Sequence, residues 1–161
     1  MRVGLGFDAH AFDRSRPLVL GGFTIPGAPG LAGHSDADVL SHAVADALLG
    51  AAGLGDLGEL FPATPEHKNA ASVDLLGETV RRVRASGWEV GNVDATVIAE
   101  RPRLSGHRSS MAEGIARALG VGGSAVSVKA TTTDGLGFTG RAEGIAAIAV
   151  VLLKERSETG R

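Results

Sequence analysis

Residues 144–153, GIAAIAVVLL, are apolar at nearly every position and lie between the polar stretches TGRAE and KE. A run of this length and composition reads as a β-strand covered on both sides. Working outward, AVSVKAT (125–131), NVDATVIAE (92–100, closed by Pro102) and RVGLGFD (2–8) read as three further strands. LVLGGFTIP (18–26) reads as a hairpin whose apolar arms flank Gly21-Gly22, a favoured turn pair. The stretch PGAPGLAGHS after it has too much Pro and Gly to be regular.

Helical periodicity marks three segments. Val39, Leu40, Ala43, Val44, Ala47, Leu48 and Ala51 form one apolar stripe, with Ser35 and Asp38 resembling a capping box at its start. Residues 72–86 place Val73, Leu76, Val80 and Val83 inward and stop at Gly87, and residues 106–119 do the same through Met111, Ile115 and Leu119. Helices and strands alternate without a clean βαβ repeat. The expected fold is therefore α+β, an α/β sandwich: a mixed four-stranded main sheet plus a small hairpin, with helices on one face. The other face must also be covered, and oligomerisation is the natural way. One domain over 1–155 and a frayed tail over 156–161 complete the expectation.

Composition narrows the function. The 161 residues carry a net charge of -2 without a basic stripe, which disfavours nucleic acid. Aromatics make up 4%, with no Tyr and one Trp, which disfavours base stacking. No cysteine is present, so disulfides, thiolate nucleophiles and thiolate metal sites are absent. With no signal peptide and no membrane-length apolar run, a cytoplasmic, membrane-free protein is expected. Glycine, at 24 residues, has about twice its usual share and lies mostly beside polar residues, where it marks tight loops or close approach to a ligand.

Asp8 and His10 share one face at the end of the first strand. On the first helix Asp38, His42 and Asp46 follow at spacings of four. Asp8, His10 and His42 together offer a carboxylate and two imidazoles, a set that suits tetrahedral zinc with one position open. Asp38 or Asp46 would then take the second ring N–H of a ligating histidine. Asp-x-His alone is a common pattern, and a histidine among helical acids also suits a salt-bridged surface residue. Two stretches suit phosphate. Gly33-His34-Ser35 precedes the first helix, whose opening amides attract anions, although Ser35 would serve equally as a simple cap. KATTTDGLGFTGR (129–141) offers three threonines, Asp134 for Mg2+ or Mn2+, and Arg141 as a bidentate phosphate ligand; β-propensity and an ordinary surface loop explain it as well.

GFDAHAF, GLAGHSDADVLSHAVADALLGAAGLGDLGELFP, NVDATVIAERPRL and VSVKATTTDGLGFTGRAEGIAAIAVVLL, in this order, resemble the 2-C-methyl-D-erythritol 2,4-cyclodiphosphate synthase family. The resemblance covers nearly the whole chain. It implies conversion of 4-diphosphocytidyl-2-C-methyl-D-erythritol 2-phosphate into the cyclic diphosphate with release of CMP, in non-mevalonate isoprenoid biosynthesis. It also implies a homotrimer, its sheets packed around the trimer axis and its active sites at subunit interfaces. By residue, it implies zinc or another divalent transition metal at Asp8, His10 and His42. A second cation, Mg2+ or Mn2+, would sit at Asp134, where Glu is more usual. His34 and Thr132 match positions that stabilise the transition state. Asp56, Leu57 and Gly58 match a stretch that contacts the methylerythritol hydroxyls, with Phe61, Pro62, Ala63, Thr64 and Pro65 close by. Ala99, Glu100, Arg101, Pro102, Arg103, Leu104 and Ser105, with Thr131, Thr132 and Thr133, match the cytidine pocket. Asp8, Ala9, His10, His34 and Ser35 also match substrate-site positions of the family. Phe138 and Arg141 match the same set, Arg141 near the position of the family trimer's apolar threefold channel, which can bind isoprenoid diphosphates. The chain reads FPATP at 61–65 where the family often reads FPDTD, so side-chain roles at Ala63 and Pro65 are lost. Two rivals remain at this level: a zinc phosphohydrolase giving linear products, and a non-catalytic diphosphate sensor.

Overall fold

The computed structural model describes residues 1–156. Its five strands, β1 (Arg2–Leu20), β2 (Phe23–Leu31), β3 (Trp88–Ile98), β4 (Val126–Thr131) and β5 (Gly144–Glu155), lie in the order β2-β1-β5-β3-β4. The first half of β1, β5, β3 and β4 make the mixed four-stranded main sheet, with only β3 and β4 parallel. The second half of β1 continues into a hairpin with β2, which brings the count to five.

Helices α1 (Val39–Ala52), α3 (Ser72–Ala85) and α4 (Arg108–Leu119) pack on one face. Ile145, Ala147, Ala149, Val151 and Leu153 of β5 alternate into that layer and are fully buried. The alternate residues Ile148 and Val150 face the other way and stay 37% and 40% exposed. Within one chain the run at 144–153 is thus covered by helices on one side only, which leaves the other face open for the cover its composition suggests.

β1 inverts the usual distribution. Its glycines face the helix: a Cβ added at Gly4 or Gly6 would lie 1.9 Å from the carbonyl oxygen of Ala47 or Ala43. Its large apolar residues, Val3, Leu5 and Phe7, face outward. The alanine stripe of α1 can therefore lie directly on the strand backbone. Leu76, Val80 and Val83 of α3 and Met111, Ile115 and Leu119 of α4 complete the core. Each fully buried side chain of this size contributes about 1.5–3 kcal/mol.

Several local readings need correction. The strand expected over 2–8 runs on to Leu20, and the stretch from 26 to 31, expected as irregular loop, is part of β2. Pro26 and Pro29 are tolerated because β2 is an edge strand, and register shifts between Asp13, Pro17 and Leu18 absorb the mismatch. The Gly21-Gly22 turn is as expected, with φ of 61° and 72°. α1 starts at Val39 and is capped by Asp38, which accepts from the Ser41 N–H, so Ser35 is not the cap. Short helices α2 (Leu57–Leu60) and α5 (Gly137–Gly140) and a 3-10 turn at Pro65–His67 sit in stretches expected as loops. Of the tail expected to fray over 156–161, Arg156 donates its backbone N–H to Gly87 at 2.9 Å, and 157–161 lie outside the described residues.

Candidate functional site

Asp8 and His10 project from the same face of β1 toward α1, where His42 meets them. Asp8 Oδ2 lies 2.9 Å from His10 Nε2 and 2.9 Å from His42 Nδ1, and the two nitrogens are 3.3 Å apart. Four ligands at zinc–nitrogen distances around a tetrahedron stand about 3.3 Å from one another. The three atoms therefore form a group able to hold a metal.

The other ring nitrogens decide the tautomers. His10 Nδ1 lies 2.7 Å from the Ala32 carbonyl, which can only accept, so Nδ1 carries the proton and Nε2 is bare. Ser72 Oγ donates to the Asp36 carboxylate, and His42 Nε2 donates to Ser72 Oγ at 2.8 Å. His42 Nδ1 is then also bare. Two lone pairs and a carboxylate oxygen meet with no proton among them, and this arrangement calls for a positive charge. Without a metal, protons supply it. Burial pushes the Asp8 carboxyl up, but hydrogen bonds from His10 and His42 outweigh it and hold it at about 2. The hydrogen bond to Asp8 raises His10 above its ordinary 6.5 against the opposing effect of burial.

The expected outer partners of His42 are otherwise engaged. Asp38 is fully buried and accepts from the backbone N–H groups of Gly21, Gly22 and Ser41 and from the Ser41 hydroxyl. Asp46 accepts from the Leu57 N–H at 2.8 Å and so anchors α2 to α1. Ser72 and Asp36 take the role instead. At the start of α1 the Asp38 carboxylate, not Ser35, accepts the Ser41 N–H. Ser35 Oγ accepts from the Ala37 N–H and lies 3.2 Å from His42 Nε2.

Most of the remaining candidates gather in two clefts. The first, about 170 Å3, joins His10, His34, Ser35 and His42 to Leu57, Gly58, Phe61 and Ala63, with His67 and Leu75 also on its wall. His34 Nε2 donates to the Thr64 carbonyl at 2.6 Å. Asp56 caps α2 through the Glu59 N–H, and Pro62 and Pro65 belong to the same segment without lining the cleft. The second cleft, about 460 Å3, is lined by Ala99, Glu100, Arg101, Pro102, Arg103, Leu104, Ser105, Thr131 and Thr132, with Ala130. The two clefts share no lining residue. Beyond the second, Asp134 is exposed on a left-handed backbone with φ of 52° and lies 3.3 Å from the Thr132 hydroxyl. Thr133 donates to the Leu136 carbonyl. Arg141 Nε donates to Glu143 at 2.7 Å in an exposed ion pair, and Phe138 is 40% exposed.

A family described as the YgbB family matches residues 1–154. A 2-C-methyl-D-erythritol 2,4-cyclodiphosphate synthase of Moorella thermoacetica is 59% identical over 157 residues, 97% of this chain and 96% of that protein. The enzyme of that name from Rubrobacter xylanophilus is 61% identical, over 95% of this chain and 94% of its own. Among solved structures, the bifunctional IspDF of Campylobacter jejuni aligns with a TM-score of 0.95 at 46% identity over 99% of this chain, which spans 43% of that longer one. IspF of Plasmodium falciparum in complex with CDP aligns with a TM-score of 0.83 at 33% identity, over 97% of each chain.

Proposed function

The chain belongs to the YgbB family, and on that premise we propose that it is a phosphorus–oxygen lyase of the non-mevalonate isoprenoid route. It converts 4-diphosphocytidyl-2-C-methyl-D-erythritol 2-phosphate into 2-C-methyl-D-erythritol 2,4-cyclodiphosphate and CMP. The observation that carries the reading is the bare-nitrogen triad of Asp8, His10 and His42 beside a cleft lined both by imidazoles and by Leu57, Phe61 and Leu75. A branched polyol phosphate has the same mixed polar and apolar character.

In the reaction an oxygen of the 2-phosphate bonds to the β-phosphorus as the bond from that phosphorus to the bridging oxygen breaks. CMP leaves with the bridging oxygen and its electron pair. Both partners belong to one molecule, so no protein nucleophile is needed. Holding them in line removes about 7–11 kcal/mol from the barrier in well-oriented intramolecular reactions. Zinc or another divalent transition metal at Asp8, His10 and His42 supplies Lewis-acid polarisation of a phosphate oxygen when bound. Asp134 presents a single exposed carboxylate, a donor set that suits Mg2+ or Mn2+ completed by phosphate and water. His34 and Thr132 stabilise the charge that develops on the phosphoryl oxygens. Residues 56–58 contact the methylerythritol hydroxyls with 61–65 close by, and 99–105 with 131–133 hold the cytidine.

A homotrimer is part of the same reading. The open sheet face of Val3, Leu5, Phe7, Ile148 and Val150 supports it, as does the separation of the two clefts. One subunit would give the metal triad and its neighbour the cytidine cleft, with Phe138 and Arg141 near the axis. A cytoplasmic location completes the proposal; no helix among the described residues is long and apolar enough to cross a membrane. Phosphorus NMR of the purified chain with substrate, Zn2+ and Mg2+ tests the function. CMP and a cyclic diphosphate should appear in equal amounts and stop with chelator. A linear phosphate product would mean hydrolysis, and no product would remove the assignment.

A further inference from the structure

We propose that His67 is a substrate contact, its imidazole donating a hydrogen bond to the phosphomonoester that attacks; the inference rests on the function proposed above. The polar side chains on the wall of the metal-side cleft are Ser35 and four histidines, with no carboxylate, Lys or Arg among its lining residues. Such a wall suits a small anion. His10 and His42 are committed to the triad, and His34 has one ring nitrogen on the Thr64 carbonyl.

His67 differs from these three. Among the described residues no protein atom hydrogen-bonds its ring nitrogens, although its backbone is firmly placed. Its N–H donates to the Thr64 carbonyl at 3.1 Å, and its own carbonyl accepts from Ala70 at 3.1 Å. The Thr64 oxygen therefore receives both the His34 ring N–H and the His67 backbone N–H, which sets the two histidines beside one another. The Phe61 ring meets the imidazole edge-on, with centroids 5.5 Å apart and planes at 87°, an arrangement that fixes the ring while leaving its nitrogens free. A ring held by backbone and aromatic packing, with its ring nitrogens free in a cleft for a phosphorylated ligand, is preorganised for that ligand.

The test compares the parent chain with His67→Phe, which keeps the aromatic edge, and His67→Gln, which keeps a donor. The measurements are kcat/KM for CMP release, zinc affinity by chelator competition, and melting temperature. Loss of a hydrogen bond to a charged group predicts kcat/KM lower by about ten- to a hundredfold in His67→Phe. His67→Gln should recover part of that loss, with zinc affinity and melting temperature unchanged in both. Parent-like kinetics in His67→Phe, failure of Gln to recover activity, or a parallel loss of zinc would each overturn the contact. A parent chain that releases no CMP would instead bring down the function itself, and the inference with it.

Discussion

Two bare nitrogens and a carboxylate pointing at one spot make the centre sensitive to whatever positive charge is available. In the metal-free chain that charge is a proton. His10 is held above 6.5, so its pairing with Asp8 stabilises the fold fully below pH 6.5, and that stabilisation is lost as pH rises through the raised value. Asp8 is held down from 3.8 to about 2, so its share is present above pH 3.8 and is lost as pH falls from there through about 2. The pair thus favours the metal-free fold most between these limits. Zinc takes the place of the proton and reverses the upper limb, so melting temperature should rise with pH where that of the metal-free chain falls. Melting curves across pH 5–8, an interval chosen about the imidazole range, with and without zinc read the crossover directly. Ser72 carries a second prediction. Removing the hydroxyl that takes the His42 Nε2 proton should weaken zinc binding by about ten- to a hundredfold, with Ser72→Thr milder than Ser72→Ala in chelator competition. Asp8 and His10 could be paired from the sequence because strand residues two apart share a face. Ser72 could not, since no spacing rule links the first residue of one helix to a side chain on another.

At the scale of elements, β1 and α1 form the rigid unit that brings the triad together. Their contact depends on missing side chains. A methyl at Gly6 would meet the Ala43 carbonyl oxygen, a backbone atom that cannot move without shifting the helix. Gly6→Ala should therefore destabilise the fold by about 2–3 kcal/mol or more in denaturant unfolding, and weaken zinc binding because Asp8 and His10 are displaced relative to His42. An unchanged midpoint would show that the strand can retreat from the helix at little cost. The apolar stripe of α1 and the Gly21-Gly22 turn were legible from periodicity and turn chemistry. The length of the hairpin was not. Proline and glycine between 26 and 31 read as loop because composition alone does not tell an edge strand, where a missing N–H costs little, from irregular chain. Asp38 misled for a related reason. Helical spacing put it beside His42, but burial turned its carboxylate toward the hairpin turn and the helix start.

For the whole molecule, the open sheet face sets the expectation. Val3, Leu5 and Phe7 remain more than half exposed in a single chain, next to Ile148 and Val150. A contiguous apolar area of that kind marks an interaction surface. Leu5→Asp should leave circular dichroism unchanged while light scattering reports single chains in place of the assembly, and turnover should go with it. An assembly mass that survives the substitution would place the interface elsewhere.

The separation of the two clefts has a genetic counterpart. If each site takes its triad from one subunit and its cytidine cleft from the next, two individually dead chains can rescue one another. One would carry His42→Ala and the other a disabling change in 99–105. Random assembly of equal amounts into a closed ring leaves about a quarter of the sites with both halves intact. Co-expression of the pair should therefore restore about a quarter of the parental activity, by the same count of pairings. Complementation of this kind cannot occur if both clefts serve one site within a single chain. The enzyme would then be a unit of heredity only as an assembly, with each allele judged by the neighbour it meets.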